Sequence, residues 1–474
     1  MTAPILLPLL HERRTATSKT KKTTTTAMTT PLSAVVVGAG PGGITVLGNL
    51  LEHLPRTTTA VASAAAAAAT ATTQKKLLWV DPQFRGGRIN ARYREVPSNT
   101  KVELFNKFAH EVSAFRDVIE RSPKPNAVTA LEGLPQDKGC PLSYAADLCL
   151  MLTEGLRKHP DVETRQSQVT AATLDKRTNI WDVKLKDGEP VLASRLILCT
   201  GSSPISKPLP ILERLRLASL QEIHLDTALA PSVLARTLDP SAASPSPTVA
   251  VVGASHSAIL VLMNLVELAR TSHPRLRIKW FTRNRLRYAE YMDGWILRDN
   301  TGLKGQAAEW ARQNLDFDDG NSDDGGDAAF AERSPVRDLV TRVWTAGGRE
   351  DQAYRAELPG CTHIVQAVGY ENHPLPQLHV IGPHDGAAKP LDVEFDHETG
   401  RFFERSSRPG SASTAAAAGA VAAAKEKREY VPGIFGAGIA FPERVVDPHG
   451  NVEYAVGFWK FMRYVSRVAP GWLD

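Results

Sequence analysis

The sequence predicts an α/β protein built from two doubly wound, Rossmann-like units. A strand-type apolar run feeding a glycine-rich turn and then an apolar helix occurs twice, about two hundred residues apart. Only the first copy has an acidic residue at the end of its next strand. Parallel α/β units place ligands at just such turns.

The first copy runs Ala34-Val35-Val36-Val37, then Gly38-Ala39-Gly40-Pro41-Gly42-Gly43, then Ile44, Leu47, Leu50, Leu51 and Leu54 at helical spacing. In such a turn Gly38 permits the tight bend, Gly40 lets the backbone approach a pyrophosphate, and Gly43 allows helix to pack on strand. The phosphates meet the positive helix N-terminus. The next strand, Leu77 to Val80, ends in Asp81, a carboxylate suited to ribose hydroxyls. Asp81 lies 38 residues beyond Gly43, where about 20 are expected. The excess is the run Thr57–Thr73, all Thr and Ala apart from Val61 and Ser63. That run has no apolar pattern to build a core and is expected to loop out.

The second copy runs Thr248 to Val252, then Gly253-Ala254-Ser255-His256-Ser257-Ala258, then an apolar helix Ile259 to Leu268. Serine and alanine replace the second and third glycines but remain small enough for backbone approach. The following strand, Arg277 to Phe281, ends in Thr282-Arg283-Asn284-Arg285 with no acid. Guanidinium groups there suit a 2′-phosphate and favour NADP over NAD; a solvated basic edge is the alternative. Together the turns read as sites for two different dinucleotides.

With 474 residues, 42% hydrophobic, the chain fills two compact domains. No apolar run approaches the roughly 18 residues of a membrane span. Four of the five net positive charges sit in the first thirty residues, where Arg13, Arg14, Lys19, Lys21 and Lys22 face only Glu12. The nearly neutral body offers no case for nucleic acid. The Thr-rich basic tail reads either as a disordered extension of a cytoplasmic protein or as a mitochondrial presequence over residues 1–27. Cys140, Cys149, Cys199 and Cys361 form no CxxC pair after either turn. They read as buried thiols in a reducing compartment, which disfavours electron transfer through an intrinsic disulfide. No clustered acids or HxxxH motif calls for a metal.

Between these landmarks lie Gly86-Gly87-Arg88 and a polar loop, Tyr93 to Thr100. A helix Tyr144–Leu156 is expected with Ser143 as its cap, and residues 162–200 read as short strands turning at Lys186-Asp187-Gly188. A Pro/Ser-rich linker, Asp239–Pro247, marks a boundary. The second unit then runs to Thr362–Tyr370, with a solvated acidic loop at Asp316–Asp327. An Ala/Ser-rich insert, Ser406–Ala424, precedes Gly433-Ile434-Phe435-Gly436-Ala437-Gly438-Ile439-Ala440 and a last apolar helix over about Tyr454–Val465.

In order, GAGPGG, a strand-end Asp with GG, LILCTG, GASHSA, VQAVGY and GIFGAGIAFPE resemble the flavoproteins with two dinucleotide-binding domains. The chain is most similar to the class B flavin monooxygenases, which include the flavin-containing monooxygenases and the ornithine and lysine N-hydroxylases. The resemblance covers most of Ala34–Val465. It implies an NADP-binding domain (246–370) inserted between two parts of an FAD-binding domain (34–245 and 371–474), after a tail of residues 1–33. FAD and NADPH are the implied cofactors. Gly38, Gly40, Gly43 and Asp81 would hold FAD, and Thr200, Gly201 and Gly369 match the turns that close the two domains. Gly253, Ser255, Ser257, Arg283 and Arg285 would hold NADPH. Gly436, Gly438 and Ile439 would return the chain to the flavin ring, with the N-terminus of the last helix near its pyrimidine, where a helix dipole favours negative charge. Asn99, in Ser98-Asn99-Thr100, is the candidate beside the reacting centre; a surface turn is the alternative.

Two departures stand out. The FxGxxxHxxxY fingerprint of the flavin-containing monooxygenases is missing, with only Glu222-Ile223-His224-Leu225-Asp226 in its region, and Ile439 stands where many related reductases carry Asp. The implied activity is oxygenation of a small nucleophilic substrate by O2 through a flavin C4a-peroxide or hydroperoxide. An NADPH-driven reductase serving a protein or quinone acceptor and a non-enzymatic redox-sensing scaffold are the rival readings. Substrate identity and oligomeric state are not encoded in these motifs.

Overall fold

Parallel strand pairing organises the chain. The computed structural model describes residues 30–54, 77–217, 219–238, 246–315, 334–384, 386–405 and 429–473. The tail before Thr30, the Thr57–Thr73 run, residues 239–245 of the linker, the Asp316–Asp327 loop and the Ser406–Ala424 insert lie outside them.

Strand Ala34–Val37 pairs in parallel with Leu77–Val80 on one side and Leu196–Leu198 on the other. Helices and a third sheet cover its two faces, so its residues are apolar without alternation. Val162–Arg165 extends the sheet at one edge. Tyr430–Gly436 joins in parallel beyond Leu196–Leu198, and Arg401–Glu404 and Val393–Phe395 complete seven strands in antiparallel fashion. Helix Pro41–His53 packs on one face with Val102–His110, Leu142–Leu156 and Phe458–Val468. The opposite face packs on a five-stranded sheet that includes Val169–Asp175, Ile180–Leu185 and Gln377–Ile381.

The second unit is a five-stranded, all-parallel sheet ordered Val340–Trp344, Arg277–Thr282, Thr248–Val252, His363–Gln366, Gln221–Glu222. All its strands fall between Leu196–Leu198 and Tyr430–Gly436 in sequence, so the second unit is inserted in the first. The chain leaves through Ser202–Pro204 and returns through Tyr370–Asn372, and these two segments pair antiparallel as one ribbon.

One tryptophan device occurs in both units. Trp79 and Trp280, on the strands next to the two turn-forming strands, are fully buried. Each gives its indole N–H to the first glycine of its turn, at 2.8 Å to the Gly38 carbonyl and 2.7 Å to that of Gly253. An indole removes on the order of 200 Å² from water, roughly 5 kcal/mol of gross hydrophobic gain, and the hydrogen bond spares its N–H a desolvation penalty.

Three boundaries differ from the sequence reading. The second unit begins well before residue 246: Gln221–Glu222 is a strand of its sheet, and Ile223, Leu225, Leu229 and Leu234 lie in its core. Ser143 does not cap its helix, which starts at Leu142 behind Pro141; the Ser143 backbone N–H instead bonds to the Arg94 carbonyl at 3.0 Å. Tyr454 is in a strand, Val452–Ala455, paired antiparallel with Glu443–Val446. Buried and exposed residues alternate there, Gly457 breaks the run at φ +142°, and the apolar helix spans Phe458–Val468, followed by a short helix Pro470–Leu473.

Candidate functional site

Both glycine turns lie at the C-terminal ends of parallel strands, where this architecture opens crevices. Gly38 adopts φ +101°, and a Cβ there would come within 2.4 Å of the Cys199 carbonyl oxygen. A Cβ on Gly43 would stand 1.9 Å from the Gly38 oxygen, so helix and strand meet backbone to backbone. Gly253 repeats the first arrangement, with φ +128° and a hypothetical Cβ 2.4 Å from the Ala367 oxygen.

Gly40 is different. A Cβ there would meet only the Gly87 Cα, at 3.8 Å, and Gly40 has a negative φ of −82°. Protein packing therefore does not require glycine at 40; what the missing side chain leaves is an open approach to the helix. Gly40 is the N-cap of Pro41–His53 and supplies no side-chain cap, so the first-turn N–H groups face that approach. Gly438 closes the other side, since a Cβ on Gly42 would lie 2.8 Å from its Cα. Gly436 pairs with Leu198, and Ala437 N–H reaches the Leu198 carbonyl at 3.1 Å. The structure thus brings Gly38, Gly40, Gly43, Thr200, Gly436 and Gly438 together around the C-terminal ends of strands Ala34–Val37 and Leu196–Leu198. Ile439, next in line, is 40% exposed.

Asp81 is oriented by its own turn. Its Oδ1 accepts N–H bonds from Gln83 at 2.8 Å and Phe84 at 2.6 Å, while Oδ2 accepts one from Ala39 at 2.8 Å. Oδ1 has used both lone pairs; Oδ2 keeps one for a ligand hydroxyl. Thr200 Oγ1 is buried with no hydrogen-bond partner. An orphaned hydroxyl beside a glycine crevice and an aimed carboxylate fit a bound dinucleotide. Gly201 adopts φ +78°, and the neighbouring His373 Nδ1 lies 2.8 Å from the Thr200 carbonyl.

In the second unit Ser255 turns its hydroxyl to the Ala367 carbonyl at 3.3 Å, closing the turn where a glycine would leave it open. Ser257 lies half-buried in the first turn of helix His256–Arg270. Arg283 and Arg285 project, exposed, just past the strand end. Gly369 adopts φ +122°, and its carbonyl accepts the Ile205 N–H at 3.1 Å where the crossing ribbon begins. Burial, with some help from the Lys304 charge, pushes His256 down to about 4. Its Nδ1 is buried without a partner.

A polar seam joins the units. Arg88, directly after Gly87, forms an ion pair with Asp226, and Tyr93 Oη donates to Asp226 Oδ1 at 3.0 Å. Burial opposes the Arg88 charge, but Tyr93 and Asp226 outweigh it and hold its pKa up. Burial also pushes the Tyr93 phenol up, with Tyr370 adding to it, so Tyr93 remains a hydrogen-bond donor. Ser232 donates to Glu95 nearby. Asn99 is exposed on a loop fixed by bonds between Ser98 and Thr100, and its Cα would lie 3.6 Å from a Cβ on Gly305 of the second unit. Asn99 therefore stands at the seam.

The sequence motifs do not single out Trp79, Trp280, Arg88, Tyr93 or Asp226 as site residues. The GG–Arg88 juxtaposition is visible in the sequence, but Asp226, 138 residues away, has no local signal. His224 proves to be the N-cap of the short helix Leu225–Ala228, its Nδ1 accepting the Asp226 N–H at 3.2 Å. All four cysteines are buried and unpaired. Burial raises each thiol, Cys199 to about 12 and Cys361 to about 11.

A family model described as FAD-NAD(P)-binding matches residues 35–203. Over 448 residues, 93% of this chain and 98% of the relative, the sequence is 50% identical to Monooxygenase AgnR1 of Paecilomyces divaricatus. The chain belongs to this family of FAD- and NAD(P)-binding monooxygenases. FAD and a nicotinamide dinucleotide, NAD(P)H, are its cofactors, and oxygen and a small molecule are its substrates. Among solved structures it is similar to OTEMO in complex with FAD and NADP, at 16% identity and a TM-score of 0.35 over 54% of this chain and 39% of that one. It is also similar to epsilon-caprolactone-bound cyclohexanone monooxygenase, at 18% identity and a TM-score of 0.33 over 54% and 40%. The chain spans about two fifths of the length of these structures, and at this level of similarity they assign no residue a role. Among the described residues no helix is long and apolar enough to cross a membrane.

His256 gives the fold a pH signature. Its folded value of about 4 lies below the ordinary 6.5, so the unfolded chain binds the extra proton between these values. Stability from this site is complete above about pH 6.5 and is lost as pH falls towards 4. The melting temperature of His256→Asn is expected to decline less steeply than wild type across that window. Some decline remains because His363 is lowered by burial as well. Parallel slopes for the two proteins would remove the assignment.

Proposed function

We propose that this monooxygenase holds FAD in the Gly38–Gly43 crevice and NADPH at the Gly253 turn, and uses NADPH and O2 to oxygenate a small nucleophilic substrate at the seam between them. The observation that carries the reading is the pairing of two strand-end glycine turns, one beside an aimed carboxylate and one beside two arginines, across a single polar seam.

Bound FAD supplies the two-electron acceptor and the centre at which oxygen is activated. The chain's own residues do the rest. The N–H groups behind Gly40 and Gly87 receive the pyrophosphate, Asp81 Oδ2 accepts a ribose hydroxyl, and Thr200 Oγ1 supplies the buried hydroxyl along the crevice. Gly201 and Gly436–Ile439 complete its walls. Arg283 and Arg285 bind the 2′-phosphate, while Gly253, Ser255, Ser257 and Gly369 shape the NADPH turn. Asn99, on its braced loop, presents an amide towards the reacting centre. Arg88 and Tyr93 hold positive charge and a hydroxyl proton beside Gly87. The unpaired cysteines support a reducing compartment, and of the two destinations raised by the sequence we favour the cytoplasm.

The direct test is turnover with NADPH under isotopically labelled O2, offering ketones, sulfides and amines. One labelled oxygen per product and one NADPH per turnover are expected for at least one class. Electron delivery to quinones without oxygen, and no labelled product, would place the chain among reductases.

Two variants test the cofactor roles. Gly40→Ala has room in the protein, so it is expected to fold with a near-native melting temperature yet bind FAD at least roughly tenfold more weakly, because the new methyl blocks the pyrophosphate; full flavin retention by equilibrium dialysis contradicts this. Arg283→Ala is expected to raise KM for NADPH roughly tenfold while leaving NADH almost unchanged, as loss of a charge-assisted phosphate contact requires. Equal losses for both would refute the 2′-phosphate role.

A further inference from the structure

The segment 299–304 belongs to the second unit yet is bound by side chains from the C-terminal part of the first. Asp299 forms ion pairs with Lys304 and, at 2.8 Å, with Lys460. Lys460 also donates to Asn300 Oδ1 at 2.5 Å. Glu453, 7% exposed, accepts from Asn300 N at 2.9 Å, Asn300 Nδ2 at 3.2 Å and Thr301 Oγ1 at 2.5 Å. Burial pushes the Asp299 carboxyl up, but the bonds from Lys304 and Lys460 outweigh it and keep it ionised. Lys304 is only 11% exposed. The cluster is a built, fully partnered network and not a fortuitous surface contact.

Its neighbours connect it to both cofactor sites. Lys304 lies close enough to His256, in the second glycine turn, to depress its pKa. Gly305, the next residue, abuts the Asn99 loop. Lys460 sits on helix Phe458–Val468, which is bonded to the first glycine-turn helix through Asn49, to Met462 Sδ at 3.2 Å and Ser466 Oγ at 2.8 Å. The covalent joint between the units is just the Ser202–Pro204/Tyr370–Asn372 ribbon. A two-stranded ribbon by itself leaves the angle between two rigid bodies soft.

We propose that Asp299, Lys304 and Lys460, with Asn300 and Glu453, form an ionic latch that fixes the second unit against helix Phe458–Val468 and so sets the separation of nicotinamide and flavin. These are positioning residues: they act by holding the two turns in register and not by touching the reacting atoms. An ionic seam suits this task because water can solvate its groups when it opens, whereas an opened apolar seam would expose a sticky patch. The inference rests on the proposed cofactor placement.

The test compares wild type, Lys460→Met, Lys460→Arg and Asp299→Asn as FAD-loaded full-length proteins. Hydrogen exchange across 299–304 is expected to quicken in Lys460→Met and Asp299→Asn and to return towards wild type in Lys460→Arg. Anaerobic flavin reduction by NADPH is expected to slow at least tenfold in the first two and recover in Lys460→Arg. Flavin content and reduction by dithionite should match wild type in all three variants. Unchanged exchange in Lys460→Met and Asp299→Asn overturns the latch, as does quickened exchange with unaltered NADPH reduction. If wild type itself is not reduced by NADPH, the proposed function fails instead, and the exchange result alone still decides whether the latch exists. Should Asp299→Asn fail to fold, the milder Thr301→Ala, which removes one bond to Glu453, takes its place with the same expected directions.

Discussion

Everything in the first unit depends on a backbone-to-backbone contact. The Gly38 carbonyl lies where a Cβ on Gly43 would stand, 1.9 Å away, so the helix is pressed onto the strand to a degree that no larger residue allows. The Trp79 indole then fixes that same carbonyl, and the neighbouring Ala39 N–H is tied to Asp81. With three groups of one short turn pinned, the helix N-terminus and the carboxylate take up a fixed mutual geometry before any ligand arrives. Preorganisation of this kind removes part of the ordering cost of binding.

The second unit repeats the contact with different chemistry. Gly253 and Trp280 correspond to Gly38 and Trp79, but Ser255 secures its turn through the Ala367 carbonyl. Loss of the second glycine therefore does not loosen the turn. Where the first unit offers a carboxylate for ribose, the second offers cations past Thr282. On the proposed placement, one scaffold would be made selective for two dinucleotides by the residues at the end of its second strand.

How much of this was legible in the sequence divides along contact range. The strands, both glycine turns and Asp81 were readable because each is written within a few consecutive residues: an apolar run, a spacing of glycines, an acid at a strand end. The seam was not, because Arg88 with Asp226 and Lys460 with Asp299 join residues 138 or more apart, and no local pattern announces such a pair. The same cause moved the domain boundary. The Pro/Ser linker points to residue 246, whereas the strand Gln221–Glu222 gains its place only by pairing with His363–Ile364. The apolar neighbours of Tyr454 suggest a helix, although Glu453, which a surface helix would expose, is buried as the acceptor of the latch.

The contrast between interior and seam shows what each is for. Within each unit the buried residues are mainly apolar and belong to continuous clusters. Between the units, ion pairs and hydrogen bonds, of which Arg88–Asp226 is the most enclosed, stand beside an apolar contact of Val96 with the second unit's core. Replacing a buried ion pair by well-packed apolar residues is often neutral or stabilising, by about 1–4 kcal/mol. Stability alone therefore gives no reason to place charge there. Direction does: a guanidinium held by a carboxylate and a phenol has one preferred orientation, whereas an apolar face slides at small cost. Two such polar contacts, at Asp226 and at Asp299, define the angle of a body hung on a two-stranded ribbon. On the proposed cofactor placement that angle governs how nicotinamide and flavin meet, since reaction between bound groups requires their reacting atoms to stand about 3–3.5 Å apart.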